Sequence, residues 1–271
     1  MRIRSLSKNQ EGSTPTLPCI LCAIFLASML ISTSCSGKKT TPETVQTPVE
    51  EPATAMGKIS DEYQNPKGFV LLTDVIPDAI LEIRYYSTYN FAGTRIDGYL
   101  QPIALLTVEA ANALKKVSDE LKEQGYRLKI YDAYRPQQAV DHFVRWSKDP
   151  YDTLTKQYFY PMYDKPYLFN NGYIARRSGH TRGSTVDLTL FDMRTEKEVD
   201  MGGTFDWFGV ESHPSHTATL TRQQLANRML LRNTMVKHGF KPIETEWWHF
   251  TLKNEPYPDT YFNHPVYWNV R

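Results

Sequence analysis

Beyond Cys35 this chain of 271 residues contains no cysteine. That excludes disulfides and thiolate metal ligands from everything downstream, so any metal there must be held by histidine and carboxylate. Net charge is also scarce. With 31 Lys+Arg against 30 Asp+Glu the formal balance is +1, which offers no field for a polyanion, and no nucleic-acid partner is expected. The marked apolar run, Leu17–Ile31, falls short of the roughly 20 residues that span a membrane comfortably. What the chain has in quantity is aromatic residues, 13% of the total and spread from Tyr63 onward. That is a globular composition, and the length suffices for a substantial core.

The first sixty residues differ. Arg2, Arg4 and Lys8 precede the apolar run, the pattern of a secretory signal. The run ends in "STSC", where small residues before Cys35 resemble a bacterial lipobox, although Ser32 stands where leucine is usual. Residues 1–35 therefore read as a signal peptide with a candidate lipidation site. Cys19-x-x-Cys22 lies inside the run and would be discarded with it. Residues 36–62, rich in Thr, Pro and Glu, read as a flexible tether. The folded domain is expected over 63–271. This organisation predicts a cell-envelope lipoprotein held at a membrane by an N-terminal lipid.

Within the domain, "FVLLTDVI" and "AILEIRYY" alternate enough to be strands. Thr107 offers an N-cap, Glu109 suits a first turn and Gly125 a stop, with Ala110, Leu114, Val117 and Leu121 on one helical face. "YRLKIYDA" follows as a strand. Pro136 suits the first turn of a second helix carrying Ala139, Val140, Phe143 and Val144. Lys148 to Ala175 reads as a long loop. "STVDLTLF" is a strand with Val186, Leu188 and Leu190 on one face and Asp187 and Thr189 on the other. Thr221 and Gln224 form a capping box for a third helix, expected to present Leu225, Met229 and Val236 and to stop at Gly239. "WWHFTL" is a last strand. The pattern predicts an α+β domain, a mostly antiparallel sheet flanked by helices.

Two polar clusters stand beside these strands. In "SGHTRGSTVDLTL", His180 and Asp187 lie seven residues apart; both residue types suit zinc, and both also suit a structural Asp–His hydrogen bond. In "ETEWWHFTL", Glu246 precedes His249 by three. On a strand those two would face opposite ways, so Glu246 is expected at a turn or bulge before the regular strand. Arg135, in "YDAYRP", offers a rigid donor fork that suits an oxyanion or an ordinary ion pair with Asp132. Asp206, after Gly202 and Gly203, suits a turn. His213 and His216 share a Pro/Ser-rich loop, a poor metal site; His142, His238 and His264 offer no partnered spacing.

Taken in order, "NFAG", "DGY", "YDAYRP", "SGHTRGSTVDLTL", "MGGTFD", "EWWHFTL" and "EPYP" make the chain resemble the zinc D-alanyl-D-alanine dipeptidases, the type known from vancomycin resistance. That family shares a clan with D-Ala-D-Ala carboxypeptidases and the hedgehog signalling domain, and the likeness runs from about Gly68 onward. It implies a hedgehog/DD-peptidase-like fold and a small dipeptide substrate. It implies one zinc ion per chain on His180, Asp187 and His249. Glu246 would be the general base and Arg135 would steady the transition state. Asp206 and Tyr85 would hold the substrate ammonium, with Ser178 near its carboxylate and Tyr99 in the same pocket wall. Two other readings stay open: a carboxypeptidase trimming longer muropeptides, and a noncatalytic zinc-bearing binding module of the envelope.

Overall fold

The computed structural model describes residues 63–269. The leader, Cys35 and the tether lie outside the described residues. In chain order the elements are β1 (Phe69–Leu71), α1 (Leu72–Val75), β2 (Ile80–Leu81), β3 (Leu105–Thr107), α2 (Val108–Glu123), β4 (Tyr126–Asp132) and α3 (Gln137–Ser147). Then follow α4 (Lys156–Phe159), α5 (Lys165–Asn170), β5 (Thr185–Asp192), β6 (Lys197–Glu198), α6 (Arg222–Lys237), β7 (Phe240–Pro242) and β8 (His249–Leu252). Short 3-10 turns occupy Arg84–Tyr86, Gly179–Arg182 and Val210–Ser212.

The mixed α/β domain is organised around β5. Its order is β2-β4-β5-β8-β7, with β6 paired to the end of β5. β2 joins β4 in parallel; β4–β5, β5–β8 and β7–β8 are antiparallel. β1 and β3 make a separate antiparallel pair. Val186, Leu188 and Leu190 are fully buried, and so are Thr185, Asp187 and Thr189 on the opposite face. The alternation in "STVDLTLF" therefore marks an apolar face and a polar face that are both inside. Each buried branched side chain in this strand stabilises the fold by roughly 1.5–3 kcal/mol.

The helix after Thr107, α2, forms as its sequence dictates. Thr107 Oγ1 accepts from the Ala110 amide, and Ala110, Leu114, Val117 and Leu121 are the buried face of α2. Pro136 is the N-cap of α3, one residue before the first turn, and Ala139, Val140, Phe143 and Val144 are buried.

Other expectations need correction. "FVLLTDVI" is a strand only to Leu71 and then turns into α1, where Leu72 is buried. "AILEIRYY" keeps two strand residues before the 3-10 turn that seats Tyr85. The expected loop from Lys148 to Ala175 contains α4 and α5, pinned by the buried Phe159, Lys165 and Leu168. In "WWHFTL" the regular strand begins only at His249. On α6 the capping box is present, but the buried face is Asn227, Arg228, Leu231, Thr234 and Met235. Met229 is 52% exposed and Val236 37%. This face is partly polar because Asn227 and Arg228 hold the backbone of segment 200–213 through side-chain hydrogen bonds, which an apolar periodicity does not reveal.

Candidate active site

Strand register assembles the site. Asp132 pairs with Asp187 across β4–β5, and Asp187 pairs with His249 across β5–β8. Directly opposed residues project on one face, so an acid, an acid and a histidine form one row. A register shift between Ile130 and Asp132 marks where β4 leaves the regular ladder. His180 enters from the 3-10 turn before β5. Ser178 caps that turn, its Oγ accepting from the His180 amide at 3.2 Å. Gly183, at φ +78°, closes the turn, and a Cβ there would lie 2.3 Å from the Phe69 ring.

His180 Nε2 lies 3.2 Å from His249 Nδ1 and 3.2 Å from Asp187 Oδ2; His249 Nδ1 lies 3.1 Å from Asp187 Oδ1. Two ligands about 2.0–2.1 Å from one zinc at a tetrahedral angle stand roughly 3.3 Å apart, so the spacing fits. Two further observations agree. Asp187 Oδ1 is buried with only the close contact of His249 Nδ1 and no other donor aimed at it, a costly state for a carboxylate that has no cation. His180 Nδ1 lies 2.7 Å from the Ala133 carbonyl; donating there leaves the Nε2 lone pair facing the cluster. The donor set His180, Asp187 and His249 thus fits a zinc ion.

The electrostatics follow from burial and mutual charge. Burial lowers the His180 pKa. Burial also opposes charge on His249, but hydrogen bonding to Asp187 and the charges of Asp187 and Glu246 outweigh it and raise the value. Burial would raise Asp187, and the two histidines overcome it and hold the carboxyl far below its ordinary range. Burial, with the charge of Asp187, raises Glu246. Glu246 sits in the turn before β8, as its spacing predicts, with Oε2 3.5 Å from His249 Nδ1 and the side chain 23% exposed.

Arg135 makes the ion pair with Asp132 and also reaches the cluster. Its Nη2 is 2.8 Å from Asp132 Oδ2 and 3.5 Å from Asp187 Oδ2. The guanidinium lies 4.8 Å from the Tyr85 ring centre and 5.1 Å from that of Phe143. Asp206 is buried, and the Tyr85 hydroxyl donates to its Oδ2 at 3.0 Å. Burial, with the charges of Asp187 and Glu246 added, raises the Asp206 pKa well above its ordinary value. Asp206 also adopts φ +60°, a left-handed conformation uncommon outside glycine.

A cavity of about 220 Å³ gathers Tyr85, Arg135, Ser178, His180, Asp187, Asp206, Glu246 and His249. Tyr99 requires correction: it is not among the lining residues. Its hydroxyl turns away to donate to Asp132 Oδ1 at 2.6 Å. A buried phenol needs a hydrogen-bond partner, and the carboxylate that grips Arg135 supplies it, so Tyr99 stands behind the wall. Tyr173 and Phe208 line the cavity too; nothing in their spacing singles them out among so many aromatics. His213 and His216 stay outside the metal cluster, their Nε2 atoms facing the Tyr173 and Thr219 hydroxyls.

A family model described as D-ala-D-ala dipeptidase matches residues 65–267. The chain belongs to that family. It is 40% identical over 200 residues to a D-alanyl-D-alanine dipeptidase of Enterococcus faecalis, covering 73% of this chain and 98% of that one. A D-alanyl-D-alanine dipeptidase of Streptomyces coelicolor is 41% identical over 199 residues, with the same coverage of each chain. One of Escherichia coli is 35% identical over 181 residues, covering 67% of this chain and 82% of that one.

Proposed function

We propose that this chain is a zinc-dependent dipeptidase that hydrolyses D-Ala-D-Ala on the envelope side of the membrane. The observation that carries the reading is the pairing, in one cavity, of a His180–Asp187–His249 donor set with a buried Asp206–Tyr85 anionic end. When bound, zinc supplies a Lewis acid for the scissile carbonyl and makes a water acidic enough to act near neutral pH. Glu246 takes the proton of the attacking water and returns it to the leaving D-alanine amine. Its Oε2 lies on the cavity wall 3.5 Å from His249 Nδ1, a position that suits both roles. Arg135, held by Asp132 and bounded by Tyr85 and Phe143, donates to the developing oxyanion. Asp206 and Tyr85 hold the substrate ammonium, and Ser178 lies on the carboxylate side. No acyl-enzyme is required, so the reaction needs no nucleophilic serine or cysteine.

The buried Asp206 favours a dipeptidase over a carboxypeptidase. A buried carboxylate needs a cation, and a free N-terminal amine at that depth belongs to a two-residue substrate. Glu246 and Arg135 disfavour a mere zinc-bearing binding module, since neither is needed to hold the metal. The family likeness extends the proposal to a hedgehog-like sheet. The basic flank, apolar run and Cys35 support export and lipid anchoring. The substrate pool would then be dipeptide released by wall turnover, for salvage, and not the cytosolic precursor. Purified domain loaded with zinc should release D-alanine from D-Ala-D-Ala and not from its N-acetylated or longer forms. Equal cleavage of all three replaces this reading with the carboxypeptidase. Cys35→Ala should move the full-length protein out of the membrane fraction, and an unchanged fractionation rejects the anchor.

A further inference from the structure

Arg228 is a buried cation with no acid beside it among the described residues; its guanidinium carbon lies 5.5 Å from the Trp247 ring centre. It projects from the middle of α6, is 6% exposed, and spends its guanidinium on backbone carbonyls. Nε donates to Met201 at 2.6 Å, Nη2 to Glu211 at 3.0 Å and Nη1 to His213 at 3.4 Å. Burial with no carboxylate beside it lowers its pKa to about 10. A lone buried charge is expensive to keep, and neutral carbonyls offset only part of that cost. Such a cation points to a role beyond packing.

The three carbonyls locate that role. Met201 begins, and Glu211 and His213 end, the segment that carries Asp206. The same helix reinforces the near end: Asn227 donates to the Asp200 carbonyl and Gln224 to the Asp200 carboxylate, both at 2.8 Å. At the far end the Trp247 amide donates to the Ser212 carbonyl at 2.9 Å, tying the segment to the turn that holds Glu246. Gly203 leaves room for the fork, since a Cβ there would lie 3.3 Å from Arg228 Nη2. Between the two clamped ends Asp206 is held at φ +60°. A planar fork offers donors on three separate nitrogens in fixed directions, whereas an ammonium offers its three from a single nitrogen and does not match this spread.

We propose that Arg228 is a positioning residue for substrate recognition: by clamping both ends of segment 201–213 it sets Asp206 for the substrate ammonium and keeps that carboxylate in register with Glu246. The proposal rests on the assignment of Asp206 to the ammonium. A double-mutant cycle on the zinc-loaded protein tests it, with kcat and KM for D-Ala-D-Ala, zinc content and thermal unfolding measured for each variant. Arg228→Lys should raise KM by about tenfold, the lower end of what a charge-assisted contact is worth, with kcat and zinc content little changed. In an Asp206→Asn background the same change should have almost no further effect, because its target is gone. Gly203→Ala, which crowds the fork without removing it, should show the same non-additivity on a smaller scale and serves if Arg228→Lys folds poorly. Equal losses in both backgrounds, or a loss of kcat in step with zinc content, make Arg228 merely structural and overturn the proposal. An Asp206→Asn variant whose KM is unchanged refutes the Asp206 assignment itself, and the clamp with it.

Discussion

The two ends of the cavity are built by different means. At the end that carries the candidate metal ligands, strand register places Asp187 against His249, and Asp132 against Asp187, across three hydrogen-bonded strands. At the end proposed to hold the substrate ammonium, Asp206 hangs on an irregular segment whose shape depends on side chains from α6. A ladder moves only when many bonds break together. A segment held by a few side-chain contacts shifts when one is altered. Metal binding should therefore be robust to changes outside its ligands, while substrate affinity should be sensitive to residues that touch neither substrate nor zinc.

Removing a ligand gives the largest effect. His249→Ala should lose zinc and bring D-alanine release to background, since only two donors remain. Metal analysis beside an activity assay checks both; retained zinc would show that the metal lies elsewhere. Glu246→Gln separates chemistry from binding at the same end. It should keep zinc and lose about 10²–10⁴-fold in kcat, the usual cost of a missing general base. Loss of zinc in parallel would make Glu246 a ligand instead.

Arg135→Lys sits between the two ends. Lysine keeps the charge and loses the fork that grips Asp132, so kcat should fall by about 10²–10³-fold, the cost of one oxyanion donor. An unchanged kcat leaves Arg135 as an ion-pair partner only. Asp206→Asn belongs to the ammonium end and should act on KM. Loss of a charged contact costs about 1.5–3 kcal/mol, to be read as KM for D-Ala-D-Ala with zinc content unaffected. A fall in kcat at constant KM would assign Asp206 to the chemistry.

What the sequence made legible divides along the same line. The residue types of His180, Asp187, Glu246 and His249 suit zinc but equally suit structural hydrogen bonds; it is the family resemblance that groups them, and the strand register and the turn before β5 that bring His180, Asp187 and His249 together. The turn at Glu246 followed from the clash between a spacing of three and a period of two. The motif around Tyr99 is local while its hydroxyl partner, Asp132, is 33 residues away, so the contact that sets it behind the cavity wall leaves no local signal. Arg228 was missed because its partners are backbone carbonyls, which carry no residue-type signal. The trace it leaves is an arginine in mid-helix with Gln224 and Arg232, not an acid, at the positions four residues away.

The outer surface of α6 gives the smallest expected effect and isolates this misreading. Apolar periodicity assigns Met229 to the core, yet it is 52% exposed, while Leu231 is fully buried two residues later. The helix turns its polar residues inward because Asn227 and Arg228 have a backbone segment to hold. That rotates the apolar stripe partly into solvent. Leu231→Ala should then cost about 2–5 kcal/mol of stability, as core truncations do. Met229→Gln should stay within about 0.5 kcal/mol, as surface changes do, and leave KM untouched because the side-chain hydrogen bonds to segment 200–213 come from Gln224, Asn227 and Arg228 instead. Denaturant unfolding of both variants decides. If Met229→Gln destabilises as much as Leu231→Ala, the helix is rotated in solution and presents the face its apolar pattern suggests. Arg228 would then be unable to clamp segment 201–213, and the contrast between the two ends of the cavity would lose its physical basis.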